Sequence, residues 1–203
     1  MTSRVGVLAL QGDVPEHRAI LEAVTGRGTV VDVRYPRDLD GVQALALPGG
    51  ESTTLSRLLD ETGLREPLRE RIRDGMGVLA TCAGLILVAD SLEPSPHGRD
   101  PVPLGLLHAR VRRNDYGRQA DSFEAPLAIR GMSGGDFTAV FIRAPKILSV
   151  GPGVEVLGEI SGSPVIVRQG SIWGLTFHPE IGEDRRLHQW FLKESGVVSS
   201  RDL

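Results

Sequence analysis

From residue 4 to residue 89 of this 203-residue chain, short apolar runs alternate with stretches whose apolar residues recur every three or four positions. Residues 4–10 read as a buried strand. Asp13-Val14-Pro15-Glu16 reads as a capping box in which Asp13 caps a helix and Glu16 reaches back, with Pro15 tolerated in the first turn. Ile20, Leu21 and Val24 give that helix one apolar face. Residues 29–33 and 44–47 are the next strands, Leu55, Leu58 and Leu59 mark a short helix, and Leu64, Leu68 and Ile72 form an i, i+4 stripe. A further strand starts at 77–80, and residues 85–89 follow it as a helix. Strand and helix in strict alternation predict a parallel sheet covered by its own crossover helices.

Beyond residue 104 the pattern changes. The β-rich runs at 107–111, 137–142, 154–160, 165–167 and 172–177 are punctuated by Ser161-Gly162-Ser163 and Gln169-Gly170-Ser171, which read as hairpin turns. An antiparallel extension of the sheet is expected. Leu187, Trp190 and Phe191, spaced i, i+3, i+4, predict a C-terminal helix with one buried face, and residues 197–203 read as a flexible tail. The proline-rich stretch 91–103 is a surface loop. A chain of this length builds one core, so residues 1–196 are expected to form a single domain.

The 23 basic and 26 acidic residues leave a net charge of −3. No cluster of Lys and Arg forms a stripe that could neutralise several phosphates, so nucleic acid is not an expected partner. The longest apolar stretch, 78–89, is about 12 residues against the roughly 20 that span a bilayer. The N-terminal apolar run is shorter than a signal-peptide core and no small-residue cleavage site follows it. A cytoplasmic protein without membrane contact is expected. One cysteine, Cys82, excludes an intrachain disulfide or an all-cysteine zinc site, so its thiol is either packing or chemistry.

Cys82 sits where a buried strand turns into a helix, with Ala80 two residues before and Gly84 two after. This is the small-x-nucleophile-x-Gly pattern of a nucleophile elbow, whose turn is too tight for larger neighbours. It would expose the sulfur at the carboxyl edge of the sheet, near a helix N-terminus whose dipole favours an anion. A free cysteine is also commonly a small core residue, and the local pattern alone leaves both readings open. A nucleophilic thiol needs a base and the base an orienter. His17 and His188 on helices, His97 in the proline-rich loop and His108 in a strand read as packing or solvated residues. His178 differs, because Pro179 forces it into an extended conformation in which Glu180 points the same way and can fix its tautomer. Leu47-Pro48-Gly49-Gly50-Glu51-Ser52 is a second strand-to-helix junction at that edge. Its glycines let backbone N–H groups face a ligand, or serve as an ordinary turn.

Taken in order, "LPGGES", "TCAGLI" and "FHPE" resemble class I glutamine amidotransferase domains. The longer blocks "GVLALQGDVPEH" (6–17), "LPGGESTTL" (47–55), "TCAGLIL" (81–87), "RNDYGRQADSFE" (113–124), "FIRAP" (141–145) and "FHPE" (177–180) resemble the glutaminase subunits of pyridoxal 5'-phosphate synthase, the PdxT/SNO family. The resemblance implies a three-layer, flavodoxin-like α/β fold whose mostly parallel sheet lies between helices. It implies hydrolysis of L-glutamine to L-glutamate and ammonia through a thioester on Cys82, with His178 carrying protons and Glu180 orienting it. Backbone N–H groups of Gly50 and Ala83 would form the oxyanion hole, and Gly50, Glu51, Ser52, Arg113, Ile142 and Arg143 would hold glutamine. No cofactor and no metal are implied. The ammonia would pass to a PdxS-type synthase subunit in a hetero-oligomeric complex, with Gln11 the candidate for coupling the site to that partner. A cysteine hydrolase of another kind on this fold usually lacks the Glu two after the histidine, and a regulatory binding module would have lost the cysteine or the histidine. Two residues depart from the family pattern: Ala80, where glycine is usual and strain is therefore expected, and Pro15 in the first helical turn.

Overall fold

The computed structural model describes residues 4–95, 100–113 and 122–199. The first half runs β1 (Arg4–Leu8), α1 (Val14–Thr25), β2 (Val30–Val33), a short 3-10 turn (Pro36–Leu39), β3 (Val42–Leu47), α2 (Ser52–Glu61), α3 (Arg65–Arg73), β4 (Gly77–Thr81) and α4 (Ala83–Val88). The second half is β5 (Ala89–Leu92), β6 (Leu107–Arg112), β7 (Phe123–Leu127), β8 (Phe137–Phe141), β9 (Lys146–Val150), β10 (Glu155–Ile160), β11 (Ser163–Gln169), β12 (Ile172–Leu175) and α5 (Arg186–Glu194). A seven-stranded sheet has the order β10-β11-β12-β4-β3-β1-β2, in which β2, β1, β3, β4 and β12 are parallel and β11 and β10 antiparallel.

Alternation along β3 explains the three layers. Leu45 and Leu47 face a cluster built with Leu55, Leu59, Leu68, Ile72 and Leu85 of α2, α3 and α4. Ala44 and Ala46 face the opposite cluster, with Leu21 of α1 and Leu187 and Phe191 of α5. The parallel strands all end at one edge, so the segments after β1, β3, β4 and β12 meet there. That edge carries Gln11, Gly49, Cys82 and His178.

The expected antiparallel extension is only part of the second half. β10, β11 and β12 are joined by the anticipated turns, with Ser161 and Gly162 at φ 50° and 73°, the paired positive angles of a two-residue hairpin turn. Residues 107–111 and 137–142 leave the main sheet instead. β6 pairs with β5 and β9 in a three-stranded sheet, and β8 pairs with β7. Leu107, Ala109 and Val111 of β6 join the first apolar cluster, whereas Phe137, Ala139 and Phe141 of β8 join the second. Phe137 and Phe141 sit 5.9 and 5.7 Å from Phe177, and Phe123 stacks on Phe141 at 4.6 Å. Val197 and Val198 pack against the second cluster, and residues 200–203 lie outside the described residues. Among the described residues no helix is long and apolar enough to cross a membrane.

His188 on α5 is fully buried, edge-on to His17 of α1 at 6.3 Å, and neither nitrogen of the His188 ring has a hydrogen-bond partner among the described residues. Burial, helped by His17, pushes its pKa down to about 3 from an ordinary 6.5. Between those values the unfolded chain binds a proton that the native imidazole refuses, so stability is lost as pH falls from 6.5 towards 3. His188→Leu should therefore make the fall of the thermal midpoint across this window shallower. A parent-like slope in the variant would show that His188 does not titrate as a buried neutral group.

Candidate active site

Cys82 lies between β4, every residue of which is buried, and α4. Its N–H donates to Leu175 O at 2.9 Å, continuing the β4–β12 pairing, and its backbone then turns at φ 48° and ψ −104°. A non-glycine residue there carries strain of about 1–3 kcal/mol. Gly84 is what lets the helix start so soon, since a Cβ at that position would lie 2.2 Å from Leu47 O. Ala80, the expected place of strain, has no positive φ. It lies in register with Leu47 and Gly174, its methyl joins the first apolar cluster, and the positive φ falls on Cys82 instead. The missing side chain of Gly174 is next to it.

His178 is fixed by its own N–H, which donates to Val140 O at 2.8 Å. Its Nδ1 lies 2.7 Å from Glu180 Oε1 and 3.3 Å from Asp13 Oδ2, and its side chain lines one cavity with Cys82. With Nδ1–H directed at two carboxylates, Nε2 is the nitrogen left for the thiol. Burial alone would push the imidazolium down, but the bonds to Asp13, Cys82 and Glu180 outweigh it and push the pKa up to about 12. Burial would raise Glu180, yet the imidazoles of His17 and His178 hold its carboxyl below the usual range.

Asp13 is a correction. The expected capping box does not form: Asp13 makes no side-chain cap bond to α1, and its carboxylate turns to His178. Its N–H donates to Gly49 O at 3.2 Å, which draws the two loops together. Gly49 has no room for a side chain, because a Cβ there would lie 2.4 Å from His178 Cε1. Gln11 Oε1 accepts from the N–H of Glu51 at 2.8 Å, so the coupling candidate touches the Gly49–Gly50 loop directly.

A cavity of about 170 Å³ opens in front of Cys82 and His178, lined also by Gly50, Glu51, Ser52, Arg113, Ile142 and Arg143. All six residues expected to hold substrate are therefore brought to the thiol. Arg143 has φ 44°, so among the described residues two of the three non-glycine residues with positive φ, Cys82 and Arg143, border this cavity. Glu51 Oε2 caps α2 by accepting from Thr54 N at 2.9 Å, while Oε1 is 3.4 Å from Arg113 Nη2. Ala83 opens α4 beside the sulfur, with a first-turn N–H that has no intrahelical partner. The larger hollow of about 790 Å³ lies behind Glu180 against α1 and does not contain Cys82. Residues 114–121 of the block that starts at Arg113, and His97, lie outside the described residues. His108 is exposed, with Nδ1 3.2 Å from Pro152 O.

The thiol of Cys82, the imidazole of His178 and the buried carboxylate of Glu180 thus meet at the sheet edge. The profile of the SNO glutamine amidotransferase family matches residues 7–197. The chain belongs to that family. It is 49% identical over 193 residues to the pyridoxal 5'-phosphate synthase subunit PdxT of Salinispora arenicola, covering 92% of this chain and 94% of that protein. It is 49% identical over 201 residues to the PdxT of Methanoregula boonei, covering 96% and 100%. A crystal structure of a glutamine amidotransferase superposes with a TM-score of 0.87 at 45% identity, covering 95% of this chain and 99% of that one. The three-layer architecture is thus that of the SNO family and its glutamine amidotransferase relatives.

Asp13, His178 and Glu180 are the one trio among the described residues whose donor atoms, all within 4.8 Å, approach metal-binding spacing. In this SNO-family site His178 Nδ1 is already held at 2.7 Å by Glu180, an imidazole–carboxylate pair rather than a ligand set. Asp13 and His17 are the site residues that sequence reasoning missed. Both stand in the first family block, where their helix-start and helix-face positions mask them. Asp13→Ala should lower the titration midpoint of His178, followed by NMR of the imidazole, because one of two carboxylates that favour the charged ring is gone. An unmoved midpoint would uncouple Asp13 from the site.

Proposed function

We propose that residues 1–196 act as one amidotransferase domain that hydrolyses L-glutamine to L-glutamate and ammonia. Cys82 Sγ gives its proton to His178 Nε2 and attacks the side-chain amide carbon, and the S–C bond forms as the carbonyl oxygen takes up negative charge. Backbone N–H groups of Gly50 and Ala83 hold that oxyanion. The C–N bond then breaks while His178 gives its Nε2 proton to the departing ammonia, leaving a thioester on Cys82. Water attacks the thioester, His178 takes the water's proton, and the S–C bond breaks to release glutamate. Glu180 keeps the His178 proton on Nδ1 between these steps.

The observation that carries the reading is the convergence of Cys82 and His178 on one small cavity with Gly50, Glu51, Ser52, Arg113, Ile142 and Arg143. In that cavity arginine suits the α-carboxylate of an amino acid and Glu51 its ammonium. The relatives in Salinispora arenicola and Methanoregula boonei are named subunits of pyridoxal 5'-phosphate synthase. The ammonia accordingly goes to a PdxS-type synthase partner in a hetero-oligomeric complex, in the cytoplasm, for vitamin B6 biosynthesis. The chain's own part in this needs no cofactor, because thiol, imidazole and carboxylate supply the acid, base and nucleophile.

Cys82→Ala should abolish glutamine-dependent synthesis of the B6 vitamer by the complex and leave ammonia-dependent synthesis intact. Loss of both in an assembled complex would mean that this subunit does more than make ammonia. Glutamine should also protect Cys82 from a glutamine-mimicking electrophile, and a thiol that stays inert would favour a binding module. Gln11 holds the Glu51 N–H beside the oxyanion loop, so Gln11→Ala should lower the partner-stimulated glutaminase rate. Full stimulation in that variant would remove Gln11 from the coupling.

A further inference from the structure

Behind the line from Cys82 through His178 to Glu180 stands a second imidazole. His17 of α1 is fully buried, with Nε2 3.1 Å from Thr81 Oγ1 and 3.4 Å from Glu180 Oε2. The Thr81 hydroxyl lies 3.4 Å from Leu47 O, which can only accept, so the hydroxyl proton points there and its lone pairs face His17. Nε2 therefore carries the ring proton. Burial pushes the pKa of His17 below its ordinary value despite the pull of Glu180, so the ring acts as a neutral N–H donor and adds no competing positive charge.

Glu180 needs such a donor. Its Oε1 is held by His178, whereas Oε2 is buried and has no other hydrogen-bond donor among the described residues. The 3.4 Å approach is long for a hydrogen bond at rest, and catalytic hydrogen bonds are often long before substrate binds and tighten in the working complex. His17 thereby links the two ends of the site, touching Glu180 on one side and, on the other, Thr81, the residue that precedes Cys82. His188 is the contrast, a buried imidazole with no polar partner at all among the described residues.

We propose that His17 is a positioning residue for the hydrolysis, its Nε2–H shared between Thr81 Oγ1 and Glu180 Oε2 so that Glu180 Oε1 stays on His178 Nδ1. This rests on the Cys82–His178–Glu180 reading. The ionisable groups around the contact are His178 and, beyond it, Cys82; Asp13 and Glu16 at the start of α1; and His188 and Asp184 at α5.

The test compares His17→Leu with His17→Gln, whose amide N–H can replace Nε2–H, in the complex with its synthase partner. His17→Leu should lower kcat by about 10- to 100-fold, the effect of taking a hydrogen bond from a buried charge. KM for glutamine should stay within about twofold, because His17 does not line the substrate cavity. The acid limb of kcat/KM should move to higher pH, since Glu180 loses a donor that favours its ionised form. His17→Gln should restore most of kcat and return the acid limb. Parent kcat and acid limb in a folded His17→Leu would overturn the proposal, as would equal losses in both variants with an unmoved acid limb. If His17→Leu does not fold, Thr81→Val, which removes the acceptor that competes with Glu180 for Nε2–H, should move the acid limb to lower pH, and an unshifted limb would overturn the proposal. Cys82→Ala run alongside separates the two failures: residual glutaminase activity there defeats the triad itself, and its loss means that the His17 variants test His17 alone.

Discussion

The chemistry of this molecule depends on how closely the first turn of α4 is pressed against the end of β3. Gly84 has no side chain where one would stand 2.2 Å from Leu47 O. Without that contact the helix could not begin immediately after Cys82, and the chain would not need to reverse within one residue. The left-handed backbone of Cys82 is the consequence, and it is sustained because the residues on both sides, in β4 and α4, are buried and cannot relax outward. The same corner positions the next loop. Leu47 is followed by Pro48 and by Gly49, whose bare Cα lets the His178 ring lie against it. One tight packing contact thus sets the direction of the thiol and the space for its base.

Burial then decides the electrostatics. A lone carboxylate in the position of Glu180 would be driven to its neutral form. Imidazoles on both of its oxygens reverse that, and two carboxylates do the same for His178. Asp13, at the rim and partly exposed, lets the charge of the pair reach towards solvent, while Glu180 stays inside. The cavity in front of Cys82 carries both signs of charge, with Arg113 and Arg143 on its wall beside Glu51.

The parallel half of the fold was legible because each of its elements is buried on a regular period: β1, β3 and β4 as apolar runs, α2 and α3 as leucine stripes. The second half was less so, for reasons visible in single elements. β7 contains Pro126, which argues against a strand and is tolerated here in a two-stranded pair. β5 continues directly from α4 and reads as the end of that helix. β9 alternates too weakly to stand out. Cys82, His178, Glu180 and the residues around them were legible because each lies in a local pattern with a steric or conformational reason. Asp13 was misread because a helix start and a carboxylate turned to a distant imidazole look alike in sequence. His17 lies on the buried face of α1 with Ile20 and Leu21, where a packing role is the natural reading and only the tertiary contact with Glu180 says otherwise.

Three buried histidines in one line show that partners, rather than burial, set the basicity. His178 faces two carboxylates and is held strongly towards its charged form. His17 has one carboxylate oxygen at 3.4 Å, too weak a pull to overcome its burial, and stays neutral. His188 has no polar partner among the described residues and also resists protonation. The affinity for a proton is thus high at His178, beside the cavity, and low at His17 and His188 behind it. A proton at this edge of the sheet is held on His178, between Glu180 and Asp13, while the His17 ring on the other oxygen of Glu180 stays neutral.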